Sequence, residues 1–236
     1  IAAVSGSGQQ HGSVWLRKNA EARLDRLDPE TTLQLQLEGI FSLENSPIWM
    51  DSSTAKQCQD LERTMGGPQA LADLTGSRAY VRFTGNQIAK IYQRQTDAYE
   101  STERIALVSS FVAGLLVGSF APIDASDGSG MNLMDIWSAQ WASNALSATA
   151  PGLEHKLGPV VLSHSVLGAL HRYYVERYGF SPGCRVVAFS GDNPNSLAGL
   201  RLQEPGDLAI SLGTSDTMFA SLRNPKPSGT QGHIFV

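Results

Sequence analysis

Apolar positions fall into short runs separated by polar turns, and the spacing within the runs switches between strand and helix periods along the chain. Ile1–Ser5 is a short apolar run that breaks into a glycine-rich turn ending at Gly12, after which Ser13–Leu16 resumes as a strand. Ser52, Ser53 and Thr54 offer caps for a helix to Met65 with Ala55, Cys58, Leu61 and Met65 on one face, and Gly66–Gly67 stop it. Asn86–Gln95, Ile105–Gly118 and Trp137–Leu146 are expected as further helices, with Pro122–Gly130 as a long polar loop. Beyond the Pro- and Gly-rich stretch Pro151–Pro159 the pattern changes. Val166–Leu170 and Arg185–Phe189 are expected strands with a helix over His171–Tyr178 between them, and a turn from Ser190 to Ser196 leads into a short helix ending at Leu200. Leu208–Leu212 and Thr217–Leu222 form a hairpin pattern around a tight tip, Gly213–Asp216. The class is mixed α/β, with a domain boundary near residue 160 and no internal repeat.

Length and charge narrow the function classes. A chain of 236 residues can bury one large core or two modest ones. With a net charge of −4 and no run of basic residues, a nucleic-acid or membrane-surface role has no electrostatic footprint. Cys58 and Cys184 stand far apart without a CxxC partner, so neither a disulfide framework nor a zinc site is expected, and a reducing cytosol fits best. The longest apolar stretch, Ile105–Gly118, is too short for a bilayer and contains Ser109 and Ser110. No Met opens the chain and Ile1 leads directly into a strand pattern, so a section of a larger protein is expected.

Three polar constellations interrupt the apolar strands, each with a bland reading beside the chemical one. Gly6–Gly12 misses the glycine spacing of a dinucleotide fingerprint. It is either a plain strand-to-strand turn with a surface histidine or a place where backbone approaches a small polar ligand, with His11, Gln9 and Gln10 hydrogen-bonding its hydroxyls. Ser190–Pro194 is good turn chemistry, yet Asp192 sits at the carboxyl end of a strand, where α/β folds place ligands and where a general base could reach a substrate hydroxyl. Ile210–Asp216 is either a hairpin tip or a phosphate cradle built on Gly213, Thr214 and Ser215. Polyol hydrogen-bonders, a lone carboxylate and a phosphate loop together make the parts of a sugar phosphotransferase.

The turn GQQHG (8–12), the segments SRAYVRFTGNQIAKIY (77–92) and SGDNPNSLAGLRL (190–202), and the loop SLGTSDT (211–217) closely resemble the FGGY carbohydrate kinase family, in its animal xylulokinase branch. The resemblance spans essentially the whole chain. It implies two actin-like, ribonuclease-H-like domains with sugar and ATP in the cleft between them. Residues 1–159 would be most of the first, sugar-side domain and 160–236 the start of the second. It also implies sugar contacts from His11, Arg82 and Asn193, Asp192 as catalytic base that also contacts the sugar, and Gly213, Thr214 and Ser215 on the nucleotide phosphates. Asp51, in Trp49–Asp51, is a lesser sugar-side candidate, with a helix N-terminal anion as its competing role. The implied reaction is ATP-dependent phosphorylation of D-xylulose to D-xylulose 5-phosphate, with Mg2+ carried by the nucleotide and no metal site of the protein's own. A kinase for another ketose or polyol, and a non-catalytic sugar sensor on the same fold, stand as alternatives. The family's first phosphate motif and its adenosine motif are absent, and Tyr92 stands where the signature around Lys90 prefers Trp.

Overall fold

The structure, a computed structural model, describes residues 1–212 and 216–236. The expected phosphate loop, Gly213, Thr214 and Ser215, lies outside the described residues. The frame is set by short strands brought together from distant parts of the sequence. Ala3–Val4 runs parallel to Arg185–Val187, which pairs antiparallel with Val166–Ala169. Just beyond, Ser7–Gly8 runs parallel to Ser190–Gly191. Ser13–Arg17 lies antiparallel to Thr102–Leu107 and sets Trp15 opposite Ile105, both fully buried.

Ser13–Arg17 does not alternate because both of its faces are covered. Trp15 joins a cluster with Ile88, Ile105 and Leu133, whereas its neighbour Leu16 packs on the other side with Ala20, Leu24 and Ile40. A continuous apolar run is what burial on two faces requires. Truncating a fully buried side chain as large as Trp15 to Ala costs about 3–5 kcal/mol. A further cluster joins Leu27 and Ala113 to Tyr173, Val186 and Phe189, so the helix Val108–Val117 packs between an early part of the chain and the segment after 160.

Several expected elements form close to their expected limits, among them the helices Ala55–Thr64, Thr84–Arg94 and Arg172–Tyr178. On the first of these Cys58 and Leu61 are buried, but Ala55 is exposed and Gln57 turns inward, donating from Nε2 to Gln93 at 2.7 Å. The hairpin pairs Leu208–Ser211 with Thr217–Ala220.

Other expectations are corrected. Ile105–Gly118 is not one helix but the strand Thr102–Leu107 followed by the helix Val108–Val117, because an unbroken apolar run carries no period that separates a buried strand from a buried helix. The break falls where the Ser110 hydroxyl accepts from the Leu107 N–H at 3.0 Å. Pro122–Gly130 is not an open polar loop. Ile123–Asp124 pairs parallel with Val160–Val161, a short helix Ala125–Gly128 follows, and its polar side chains bond inward. In Trp137–Leu146 the helix begins only at Ser143; before it, Met134–Asp135 and Gln140–Trp141 form a hairpin whose turn holds Ala139 at φ 53°. The turn expected from Ser190 is a helix from Asp192 to Gly199, capped by the extended backbone of Gly191. The helix Pro68–Thr75 had a sequence signal, a proline directly after Gly67, at the position where its missing N–H does no harm. Among the described residues no helix is long and apolar enough to cross a membrane.

Candidate active site

The register Ser7 to Ser190 and Gly8 to Gly191 brings the turn at 9–12 beside the first turn of the helix Asp192–Gly199. Both glycines are demanded by crowding rather than by φ. A Cβ on Gly8 would overlap the backbone of Ser109, and one on Gly191 would overlap Gln10 Cγ and stand 2.8 Å from Asp127 Oδ1. The two segments are then stitched by Gln10. Its backbone N–H donates to Asp192 Oδ1 at 3.0 Å, and its side-chain Oε1 accepts from Asn193 Nδ2 at 2.7 Å. Asn195 adds a bond from Nδ2 to the Gly6 carbonyl at 3.3 Å. Gln10 is buried, whereas Asp192 is exposed, so a carboxylate with one oxygen fixed is presented at the surface of the junction.

His11 follows in the left-handed region, φ 67°, which turns its ring back over Phe83 at 4.7 Å between centroids. Its carbonyl accepts from the Thr84 hydroxyl at 3.2 Å. Burial, assisted by the neighbouring His233, pulls the imidazole down to about 4, against the opposing pull of the Gly130 backbone and the Asp192 carboxylate. At neutral pH it is therefore an uncharged donor and acceptor, suited to a hydroxyl and not to an anion. Tyr80, Phe83 and His233 complete an aromatic wall, with His233 4.9 Å from both other rings.

Arg82 lies half-buried with its guanidinium 5.2 Å from the centre of the Trp49 ring, a cation–π contact that holds it against the body of the protein. The loop carrying Arg82 is locked by Asn132, itself in the left-handed region. Asn132 Oδ1 accepts from the Tyr80 N–H at 3.2 Å, and its Nδ2 donates to the Ser77 and Arg78 carbonyls, both at 3.2 Å. Asp51 is engaged elsewhere. It is ion-paired to Lys90 Nζ at 2.5 Å and accepts from the Ser53 N–H at 2.8 Å. Partial burial works to raise its pKa, but the bonds from Lys90, Ser53 and Gln87 outweigh this and hold it well below the usual carboxylate range.

The structure thus brings His11, Asp192 and Asn193 together through Gln10, with Arg82 close enough for its charge to act on His11. Sequence reasoning missed Gln10 as a bridge, Asn132 as a lock, and two buried carboxyls, Asp124 and Asp127. Asp124 caps the helix Ala125–Gly128 by accepting from the Asp127 N–H at 3.0 Å, the Asp-x-x-Asp spacing being the one signal that could have found it. Asp124 Oδ2 also accepts from Ser190 Oγ at 2.5 Å, and Oδ1 from Ser163 Oγ at 2.6 Å. Asp127 accepts from Ser109 Oγ at 2.5 Å. Burial pushes the Asp127 carboxyl up to about 7, the Ser109 and Gln10 side chains opposing this and the charges of Asp124 and Asp192 adding to it. A cavity of about 580 Å³ lies elsewhere, lined by Tyr92, Leu146, Ala150 and His155 among others, and touches none of these residues.

The chain is similar to known proteins in both sequence and fold. Residues 31–199 match the model of the FGGY family of carbohydrate kinases, N-terminal domain. The chain is 58% identical over 235 residues to xylulose kinase of Rattus norvegicus, with all of this chain and 44% of the relative covered. It is 55% identical over 234 residues to xylulose kinase 2 of Arabidopsis thaliana, covering 99% of this chain and 42% of the relative. The chain therefore spans less than half the length of these curated relatives. Among solved structures, a xyloylose kinase from Brucella ovis superposes with a TM-score of 0.78 at 21% identity, over 97% of this chain and 42% of that one. Plasmodium falciparum glycerol kinase with ADP gives a TM-score of 0.71 at 15% identity, over 92% and 39%. The fold is the actin-like fold of the sugar kinases, and the chain belongs to the FGGY family of carbohydrate kinases.

Proposed function

We propose that the full-length protein carrying this chain phosphorylates D-xylulose at its terminal hydroxyl with ATP, and that Asp192 is the general base. One observation carries the reading. Asp192, exposed at the start of a helix, has one carboxylate oxygen anchored to the Gln10 N–H and sits beside Asn193 and within electrostatic reach of His11. The likeness to xylulose kinases in the rat and in Arabidopsis supports the choice of sugar.

ATP, with magnesium on its phosphates, supplies the phosphoryl group, and Gly213, Thr214 and Ser215 would hold those phosphates. Asp192 Oδ2, not bound to Gln10, would accept the hydroxyl proton as that oxygen attacks the γ-phosphorus of ATP and ADP leaves. Phosphoryl transfer asks the protein chiefly for alignment, and a carboxylate pinned at one oxygen is aligned before substrate arrives. Neutral His11 and Asn193 would hydrogen-bond sugar hydroxyls. Arg82, held on Trp49, contributes a fixed cation on the same side.

A panel of ketoses and polyols assayed with magnesium-ATP tests this. Preferred turnover of D-xylulose is expected. A preference for glycerol or ribulose refutes the substrate, and sugar binding without phosphorylation would make the protein a sensor.

A further inference from the structure

Two buried carboxyls stand three residues apart beneath the Asp192 junction, and their surroundings differ. Asp124, fully buried, has three donors on its two oxygens: Ser163 Oγ, Ser190 Oγ and the Asp127 N–H. Asp127, 2% exposed, accepts a single well-formed hydrogen bond, from Ser109 Oγ, and the Gln10 side chain is the next neutral polar group to act on it. Its other oxygen, Oδ1, is a buried atom without a hydrogen-bond partner among the described residues, and so is Gln10 Nε2. Asp127 Oδ1 stands 2.8 Å from where a Cβ on Gly191 would be, with Gln10 Cγ nearer still and Cδ at 3.0 Å from the same point, so the two side chains meet over that glycine. A buried carboxylate with one donor is costly, whereas a carboxylic acid in the same place is not.

We propose that Asp127 works as a protonated positioning residue for Asp192, acting through Gln10. The inference rests on the reading of Asp192 as the base. In the neutral form the proton lies in the 2.5 Å contact between Asp127 Oδ2 and Ser109 Oγ, leaving Oδ1 as a carbonyl oxygen turned toward the Gln10 amide. That amide in turn holds Asn193, and the Gln10 backbone holds Asp192. Loss of the proton puts a second negative charge beside Asp192, where an anionic phosphoryl group must approach, and turnover falls. Two carboxyls in contrasting environments divide the proton between them in this way at many acid–base sites. The raised affinity of Asp127 for its proton agrees with this. The ionisable groups acting on it are Asp124 from the preceding strand and Asp192 from the following helix. The helix Val108–Val117, the turn Ser129–Met131 and the strand Val160–Val161 carry none.

The test is the pH dependence of kcat in the full-length enzyme and its Asp127→Asn and Asp127→Ala variants, with a 13C carboxyl titration of Asp127 by NMR. Wild type should lose turnover on the alkaline side of neutrality. In Asp127→Asn the ratio of kcat at pH 8.5 to that at pH 6 should rise about tenfold or more, since one titrating group costs a factor of ten per pH unit. Asp127→Ala, which removes the carbonyl oxygen, should in addition raise KM for the sugar, and Asp127→Asn should do so far less. Superimposable pH profiles for wild type and Asp127→Asn, or an Asp127 resonance that titrates with ordinary carboxylates near pH 4, overturn the proposal. The titration needs no turnover, so it still decides the point if the enzyme phosphorylates no ketose, a result that sinks the functional reading instead.

Discussion

The Gln10 backbone N–H donates to Asp192 Oδ1 across 182 residues of sequence, and the Gln10 side chain bonds Asn193 across 183. One buried residue therefore fixes both Asp192 and Asn193 at the start of the helix Asp192–Gly199.

Asp192→Asn preserves an acceptor for the Gln10 N–H and removes the base. We expect kcat to fall by about 100-fold or more with sugar affinity largely retained. Steady-state kinetics with calorimetric titration of D-xylulose measures both. Near-normal turnover would reduce Asp192 to a helix-start residue.

Gln10→Leu keeps the volume but strands the Asn193 amide and leaves the backbone bond to Asp192 intact. Leaving a partly buried donor unmade costs about 1–3 kcal/mol, so sugar affinity should drop by about tenfold while kcat falls less. A kcat loss without any change in affinity would show that the side chain serves the base alone.

Gly8→Ala must push the strand Ser7–Gly8 off the backbone at Ser109, which cannot yield as a side-chain tip would. Overpacking of this kind destabilises by about 1–3 kcal/mol. Denaturant melts should show the loss. An unchanged midpoint would mean that the strand shifts freely and that the junction is not rigid.

Stability should depend on pH through Asp127. Its folded carboxyl stands at about 7 against an unfolded 3.8, so the folded state holds the extra proton between those values. The folded state is therefore favoured fully below the lower value, and that advantage is lost as pH rises to the upper one. Asp127→Asn removes the penalty. Its melting temperature should gain on wild type between pH 5 and pH 8, and a constant difference across that range would refute the shift.

The candidate residues were legible in the sequence where short polar motifs interrupt apolar strands, as at His11 and Asp192. The elements around them were legible where period and caps agree, as in Thr84–Arg94. Ile105–Gly118 was misread because two-sided burial erases the period. Pro122–Gly130 was misread because Asp124, Ser126, Asp127 and Ser129 have the composition of a solvated loop, while in the fold the two aspartates are bonded by Ser109, Ser163 and Ser190. Those partners are remote in sequence, and no local pattern announces them. The grip of Gln10 was hidden for the same reason.

The parallel pairing of Ser7–Gly8 with Ser190–Gly191 also bears on how the protein is made. A ribosome releases the Gln10 turn first and its partner helix 182 positions later, a delay of roughly 10–40 s at about 5–20 residues per second. Throughout that interval the strand Ser7–Gly8 has an unpaired edge and Gln10 lacks both Asp192 and Asn193. The nascent chain thus carries a vacant strand slot until residue 191 has emerged, a natural docking point for a holding chaperone and a natural point of failure when translation stalls before residue 190.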